Sequence, residues 1–116
     1  MQEFESCVNE LSVGIQQRRE ASGPAAISQK LCELVDGKTM REVLVLGYRS
    51  TAGWVPGEIE FHRANIKKTE EALGSTGSDS RKAALRDYLA MARDNVARLE
   101  ARLEKARMRL AELEAQ

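Results

Sequence analysis

The chain has no glycine-rich phosphate loop, no serine-nucleophile motif and no cysteine–histidine pair at useful spacing, so catalysis and bound cofactors are not expected. It holds a single histidine, His62, and two cysteines, Cys7 and Cys32, which lie 25 positions apart; no metal-ligand spacing results, and a reduced, partly buried pair is expected rather than a disulfide. Aromatic residues make up only 4 %, against 15 alanines and 12 leucines, which disfavours sandwiches and barrels and favours helix. Wholly apolar runs such as Val43 to Leu46 are too short to span a bilayer. The opening residues Met1-Gln2-Glu3-Phe4-Glu5 lack the basic and apolar parts of a secretion signal, so a cytoplasmic location is expected, with no membrane partner. At 116 residues the chain allows one modest core and no enclosed small-molecule site.

Net charge is also missing, since 18 basic residues cancel 18 acidic ones. Binding to an anionic partner would therefore need a local patch. The balance conceals a gradient: residues 1–37 sum to −3, residues 38–73 to +1 and residues 74–116 to +2.

What is present is helical periodicity. Phe4, Val8, Leu11 and Ile15 line one face of a first amphipathic helix that stops before Ser22-Gly23-Pro24. Ile27, Leu31, Leu34 and Val35 mark a second, closed by Gly37. Thr39 and Glu42 have the spacing of a capping box, which favours a short third helix through Leu46. A β-hairpin over 42–55 is the alternative, because Val43-Leu44-Val45-Leu46 also suits a buried strand and Gly47 with Gly53 could turn it back through Trp54. Pro56 suits the first turn of a fourth helix over about 57–73, on which Ile59, Ile66 and Leu73 recur every seven residues. Residues 74–80 read as a flexible loop in which Ser78 or Asp79 caps the next helix.

From Arg81 onward there is no glycine or proline, and Leu85, Leu89, Ala92, Val96, Leu99, Leu103, Ala106, Leu110 and Leu113 alternate by four and three. The reading is an all-α protein: a small helical portion over 1–73, a loop over 74–80, and a long coiled-coil helix over 81–116 that forms an antiparallel hairpin or bundle. At 1.5 Å per residue that helix reaches roughly 55 Å, whereas a compact chain of this size is only about 35 Å across. Part of its apolar stripe should therefore seek a partner. Arg86, Arg93, Arg102, Arg107 and Arg109 flank the seam and disfavour a parallel homodimer, while Glu3, Glu5, Glu10, Glu58, Glu60, Glu70 and Glu71 supply the opposite sign.

Residues 39–52, Thr-Met-Arg-Glu-Val-Leu-Val-Leu-Gly-Tyr-Arg-Ser-Thr-Ala, resemble the turn region of helix-turn-helix DNA-binding proteins. The resemblance implies a turn at Gly47, a core plug at Tyr48, and Arg49, Ser50 and Thr51 at phosphates or base edges. Separately, Lys38, Arg41, Arg49, Arg63, Lys67 and Lys68 would add a basic patch if they gather on one surface. The competing reading is a packing turn at Gly47 with Tyr48 in the core. Gly53, Pro56 and Gly57 fall where a recognition helix would continue. Glu58 and His62 stand at i and i+4, which reads as His62 filling a gap on the Ile59 and Ile66 face. Trp54 reads as an exposed anchor or as a cap on the core.

The functional expectation is a non-enzymatic protein-interaction module, an adaptor or inhibitor, whose protein partner or second copy meets Leu99, Arg102, Leu103, Ala106, Arg107, Leu110, Leu113 and Trp54. The alternative is a helix-turn-helix-like regulator or packaging-type protein that binds duplex DNA through Lys38, Arg41, Arg49, Ser50 and Thr51 and is oligomerised by its last helix.

Overall fold

A computed structural model of the chain describes residues 2–116 as four helices: α1 (Gln2–Gln17), α2 (Pro24–Val35), α3 (Met40–Ser75) and α4 (Asp79–Glu114). The described residues contain no strand, and α3 packs against α4 as an all-α hairpin within a bundle.

Local chemistry fixes the helix ends. Gly23 takes a positive φ of 86° before α2, and Pro24 occupies the first turn, where no intrahelical N–H is required. Gly37, at φ 72°, follows the end of α2, and the Asp36 backbone N–H donates to the Cys32 carbonyl. The capping box at α3 is formed: the Glu42 backbone N–H donates to Thr39 Oγ1, and the Thr39 N–H donates to Glu42 Oε1, both at 3.2 Å. These bonds hold the Glu42 carboxyl below its usual range, the Thr39 backbone contributing most. At α4 it is Ser78 that caps, its Oγ accepting from the Arg81 N–H at 3.3 Å.

The stretch over 42–55 corrects the sequence reading. No β-hairpin forms there and no turn interrupts it, because α3 runs unbroken for 36 residues through Gly47, Gly53, Pro56 and Gly57. Pro56 lies inside the helix instead of opening one. The physical reason is a single buried stripe on α3: Val43, Gly47, Ser50, Thr51, Val55 and Ile59 recur at helical spacing on both sides of the proline. Proline and glycine disfavour a helix interior by about 3 and about 1 kcal/mol, and burial of this stripe outweighs them. Two separate helices over this region are thus one.

The chain divides into two compact units, one made of residues up to Trp54 together with Leu103–Gln116, the other of Val55–Arg102. In the first, Cys7, Leu44 and Leu113 form a buried cluster with Phe4, Val45 and Tyr48 packed on it, so that α1, α3 and α4 share one core. The α1 backbone lies close on Gly47, where an added Cβ would stand 2.6 Å from Cys7 Cβ and 2.9 Å from its Cα and carbonyl oxygen. In the second, Val55 and Ile59 of α3 are buried, as are Leu89, Ala92 and Val96 of α4. Ion pairs Arg63–Glu100 (2.7 Å) and Arg93–Glu70 (3.4 Å) bracket the seam of that unit.

A Cβ at Gly47 can only be accommodated by moving backbone. Gly47→Ala is therefore expected to lower stability by about 1–3 kcal/mol although alanine is the better helix former. Gly57→Ala, which meets nothing within 4 Å, should raise stability by about 0.5–1 kcal/mol. Paired urea titrations check the contrast, and equal signs for the two variants would contradict the packing described.

Candidate functional site

The helical face at the start of α3 gathers Lys38, Arg41, Glu42, Val45, Leu46 and Arg49 around a cavity of about 170 Å³. Arg41, Glu42, Val45, Leu46 and Arg49 share a face because residues 40–55 are helical, with intervals of three and four, and Lys38 joins them from the linker just before α3. Val45 and Leu46 are half-buried and form an apolar floor, whereas Lys38, Arg41 and Arg49 are exposed. Two of the cations are oriented by the end of α4. Arg41 Nη2 donates to the Leu113 carbonyl, and Arg49 Nη2 donates to Glu114 Oε1 at 2.9 Å. Carbonyls in the last turn of a helix carry partial negative charge and lack intrahelical donors, so a guanidinium is a fitting partner there.

Behind this face a polar network ties α1 to the hairpin. Arg109 Nε and Nη2 grip both oxygens of Glu3 at 2.7 and 3.2 Å, and Tyr48 Oη donates to Glu3 Oε2 at 2.7 Å. The Glu3 carboxyl is drawn from an ordinary 4.5 to about 2, first by the Arg109 hydrogen bond and then by that of Tyr48. Burial, followed by the bond to Glu3, pushes the Tyr48 phenol up, and burial pushes the Cys7 thiol up. Further along, Thr51 Oγ1 donates to Glu10 Oε2, and Arg18 Nη2 donates to Ser50 Oγ at 3.2 Å.

The residues expected to contact DNA are thereby split. Lys38, Arg41 and Arg49 come together at the cavity, but Ser50 and Thr51 are buried and bonded to α1. The turn at Gly47 required by the helix-turn-helix resemblance is absent, whereas the core role of Tyr48 stands, since it packs on the Cys7 cluster.

The seam expected to await a partner is also largely closed. Leu103, Ala106 and Leu113 are buried, Leu99, Leu110 and Arg102 are half-buried, and only Arg107 of that set is exposed. At the end of that seam Leu113 is covered by both α1 and α3, through Cys7 and Leu44. Trp54 is half-buried with its indole nitrogen out of solvent, closer to a core cap than to an exposed anchor. His62 is half-buried, with Nε2 3.5 Å from Glu58 Oε2, and the described residues include no group of three or more potential ligands that could hold a metal. Both cysteines are free thiols, Cys7 buried and Cys32 exposed. No helix among the described residues is long and apolar enough to cross a membrane.

Sequence reasoning found the three cations but missed the apolar floor of Val45 and Leu46. The signal existed in the spacing 41, 45, 49, which reads as a face once the segment is taken as helix. Fold and site together define an all-α helical-hairpin protein with a small cationic cavity. Compared with known proteins, the chain matches no family model, and no curated protein or solved structure matches it.

Two outcomes follow from this geometry. Because Glu3 titrates lower in the folded chain than in the unfolded one, its contribution is complete above about pH 4.5 and is lost as pH falls toward 2. Glu3→Gln should therefore flatten the loss of stability in that acid window, and an unchanged acid profile would remove Glu3 from the network. Leu103→Ala is expected to cost about 2–4 kcal/mol as a core truncation. Its melting temperature should not vary with protein concentration, whereas a seam between chains would make it vary.

Proposed function

We propose that the chain is a non-enzymatic protein-interaction module whose contact surface is built by α2 and the first turns of α3. The observation that carries this reading is the state of α2. Its apolar residues Ile27, Leu31, Leu34 and Val35 recur on one face, yet none of its 12 residues is buried. A helix this short is marginal on its own, and packing of an apolar face is what normally stabilises one. Here α2 is held by packing on α1 and closed at its end by the Asp36 N–H bond to the Cys32 carbonyl, with its apolar face left half-open. Met40, 55 % exposed, continues apolar surface into α3. The covered seam of α4 then serves assembly of the fold itself, and the partner's contacts move to the α2–α3 corner. A cytoplasmic setting suits two free thiols.

DNA binding is the second reading, favoured by the convergence of Lys38, Arg41 and Arg49 on one face. It ranks lower because Ser50 and Thr51 are engaged internally and the chain has no net positive charge.

Capture on the full-length chain from its native host, with identification of bound protein and sequencing of bound nucleic acid, tests both readings. A protein partner should be retained, and Ile27→Asp with Leu31→Asp should reduce retention by about 10- to 100-fold, as expected when two apolar anchors are lost. Circular dichroism melts would show that the double variant still folds. Equal retention by both chains, or recovery of nucleic acid alone with steep salt dependence, would reject the proposal.

A further inference from the structure

We propose that the cavity at the start of α3 receives one bulky apolar side chain from an acidic, extended segment of a partner protein, with carboxylates on either side drawn to Lys38, Arg41 and Arg49. This rests on the interaction-module reading and specifies the chemistry of the partner.

Size comes first. The cavity holds about 170 Å³, close to the roughly 150 Å³ of an apolar cavity that accommodates benzene and below the roughly 300 Å³ at which small-molecule and cofactor sites begin. One aromatic or leucine side chain fills it. Its floor, Val45 and Leu46, is aliphatic and rewards such a side chain by removing apolar surface from water.

Charge selects what flanks the anchor. Three cations line the cavity against one carboxylate, Glu42, which is engaged in the capping box with Thr39, and Glu114, which is not part of the lining, accepts from Arg49. Arg41 and Arg49 each use a single nitrogen in their contacts with the end of α4. A guanidinium carries five N–H donors, so both retain donors for an incoming carboxylate. Their positions differ by eight residues, about 12 Å along a helix. Carboxylates four residues apart in an extended segment are separated by about 13 Å, with the central side chain between them. A phosphate backbone would answer the cations but leave the apolar floor unused, which favours an acidic peptide over a duplex.

The test is titration of the ¹⁵N-labelled full chain with an amidated pentapeptide that has phenylalanine at its centre and two aspartates on each side. Backbone signals of Val45, Leu46 and Arg49 should shift and saturate with a Kd on the order of 1 mM. Replacing phenylalanine by alanine should weaken binding about tenfold. Lys38→Glu should weaken it by at least a similar factor, and Arg49→Ala, which removes only an exposed ion pair from the fold, should weaken it in the same direction. Equal binding of the alanine-centred peptide would mean the cavity is unused, and equal binding of a peptide with lysines in place of the aspartates would mean its rim is indifferent to charge. Either result overturns the proposal, as would silence of these signals at 10 times the expected Kd. It also falls if a short DNA duplex moves the same signals with steep salt dependence where the peptide does not. A silent cavity in a chain that still loses its captured partner through Ile27→Asp and Leu31→Asp defeats this inference alone. A chain that captures no protein defeats the reading beneath it as well.

Discussion

The contact between Cys7 and the backbone of Gly47 sets the distance at which α1 lies on α3, and most of the first unit follows from it. With Cα rather than a side chain facing Cys7, the helices approach closely enough for Glu3 to reach Tyr48 and Arg109. The same approach brings Glu10 to Thr51 and lets Arg18 pass Gly14 to reach Ser50. Four small or polar residues, Gly14, Gly47, Ser50 and Thr51, thus do in this interface what leucines do in the α4 seam. Buried hydroxyls are tolerable here because each finds a partner on the facing helix or on its own backbone.

Continuity of α3 is the second consequence. Once residues 40–55 are helical and their buried stripe is committed to α1 and α4, Arg41 and Arg49 are left exposed on the same turns, beside Lys38 of the preceding linker, with half-buried Val45 between them and the core. The cavity is thus a by-product of the packing that also removes the helix-turn-helix geometry. Ser50 and Thr51 cannot serve both as core hydrogen-bonding groups and as readers of a duplex, and their burial assigns them to the first task.

Charge contributes orientation more than stability. Arg63–Glu100 and Arg49–Glu114 are exposed pairs whose individual worth is about 0–1 kcal/mol. Glu3 with Arg109 is different in kind, because two nitrogens meet two oxygens and a phenol shares one of them, which fixes geometry as well as sign. The excess of arginine along the last helix and of glutamate on the first and third is expressed in Arg109–Glu3 and Arg93–Glu70, whereas Arg63–Glu100 and Arg49–Glu114 have the opposite polarity.

The amino-acid order by itself determined the helices whose signals are local: the capping box at Thr39, the break at Gly23-Pro24, the polar loop before α4, and the nine-position heptad of α4, whose buried residues are Leu89, Ala92, Val96, Leu103, Ala106 and Leu113. It could not determine that 40–75 is one helix, because the core stripe there is written in glycine, serine and threonine, which carry no apolar period, and because Gly47, Gly53, Pro56 and Gly57 read locally as stops. Only tertiary packing decided that point, and with it which apolar residues stay open to a partner. Local propensity is worth about 1–3 kcal/mol at each such position, whereas burying the stripe from Val43 to Ile59 outweighs it, and the area to be buried is known only once the facing helices are in place.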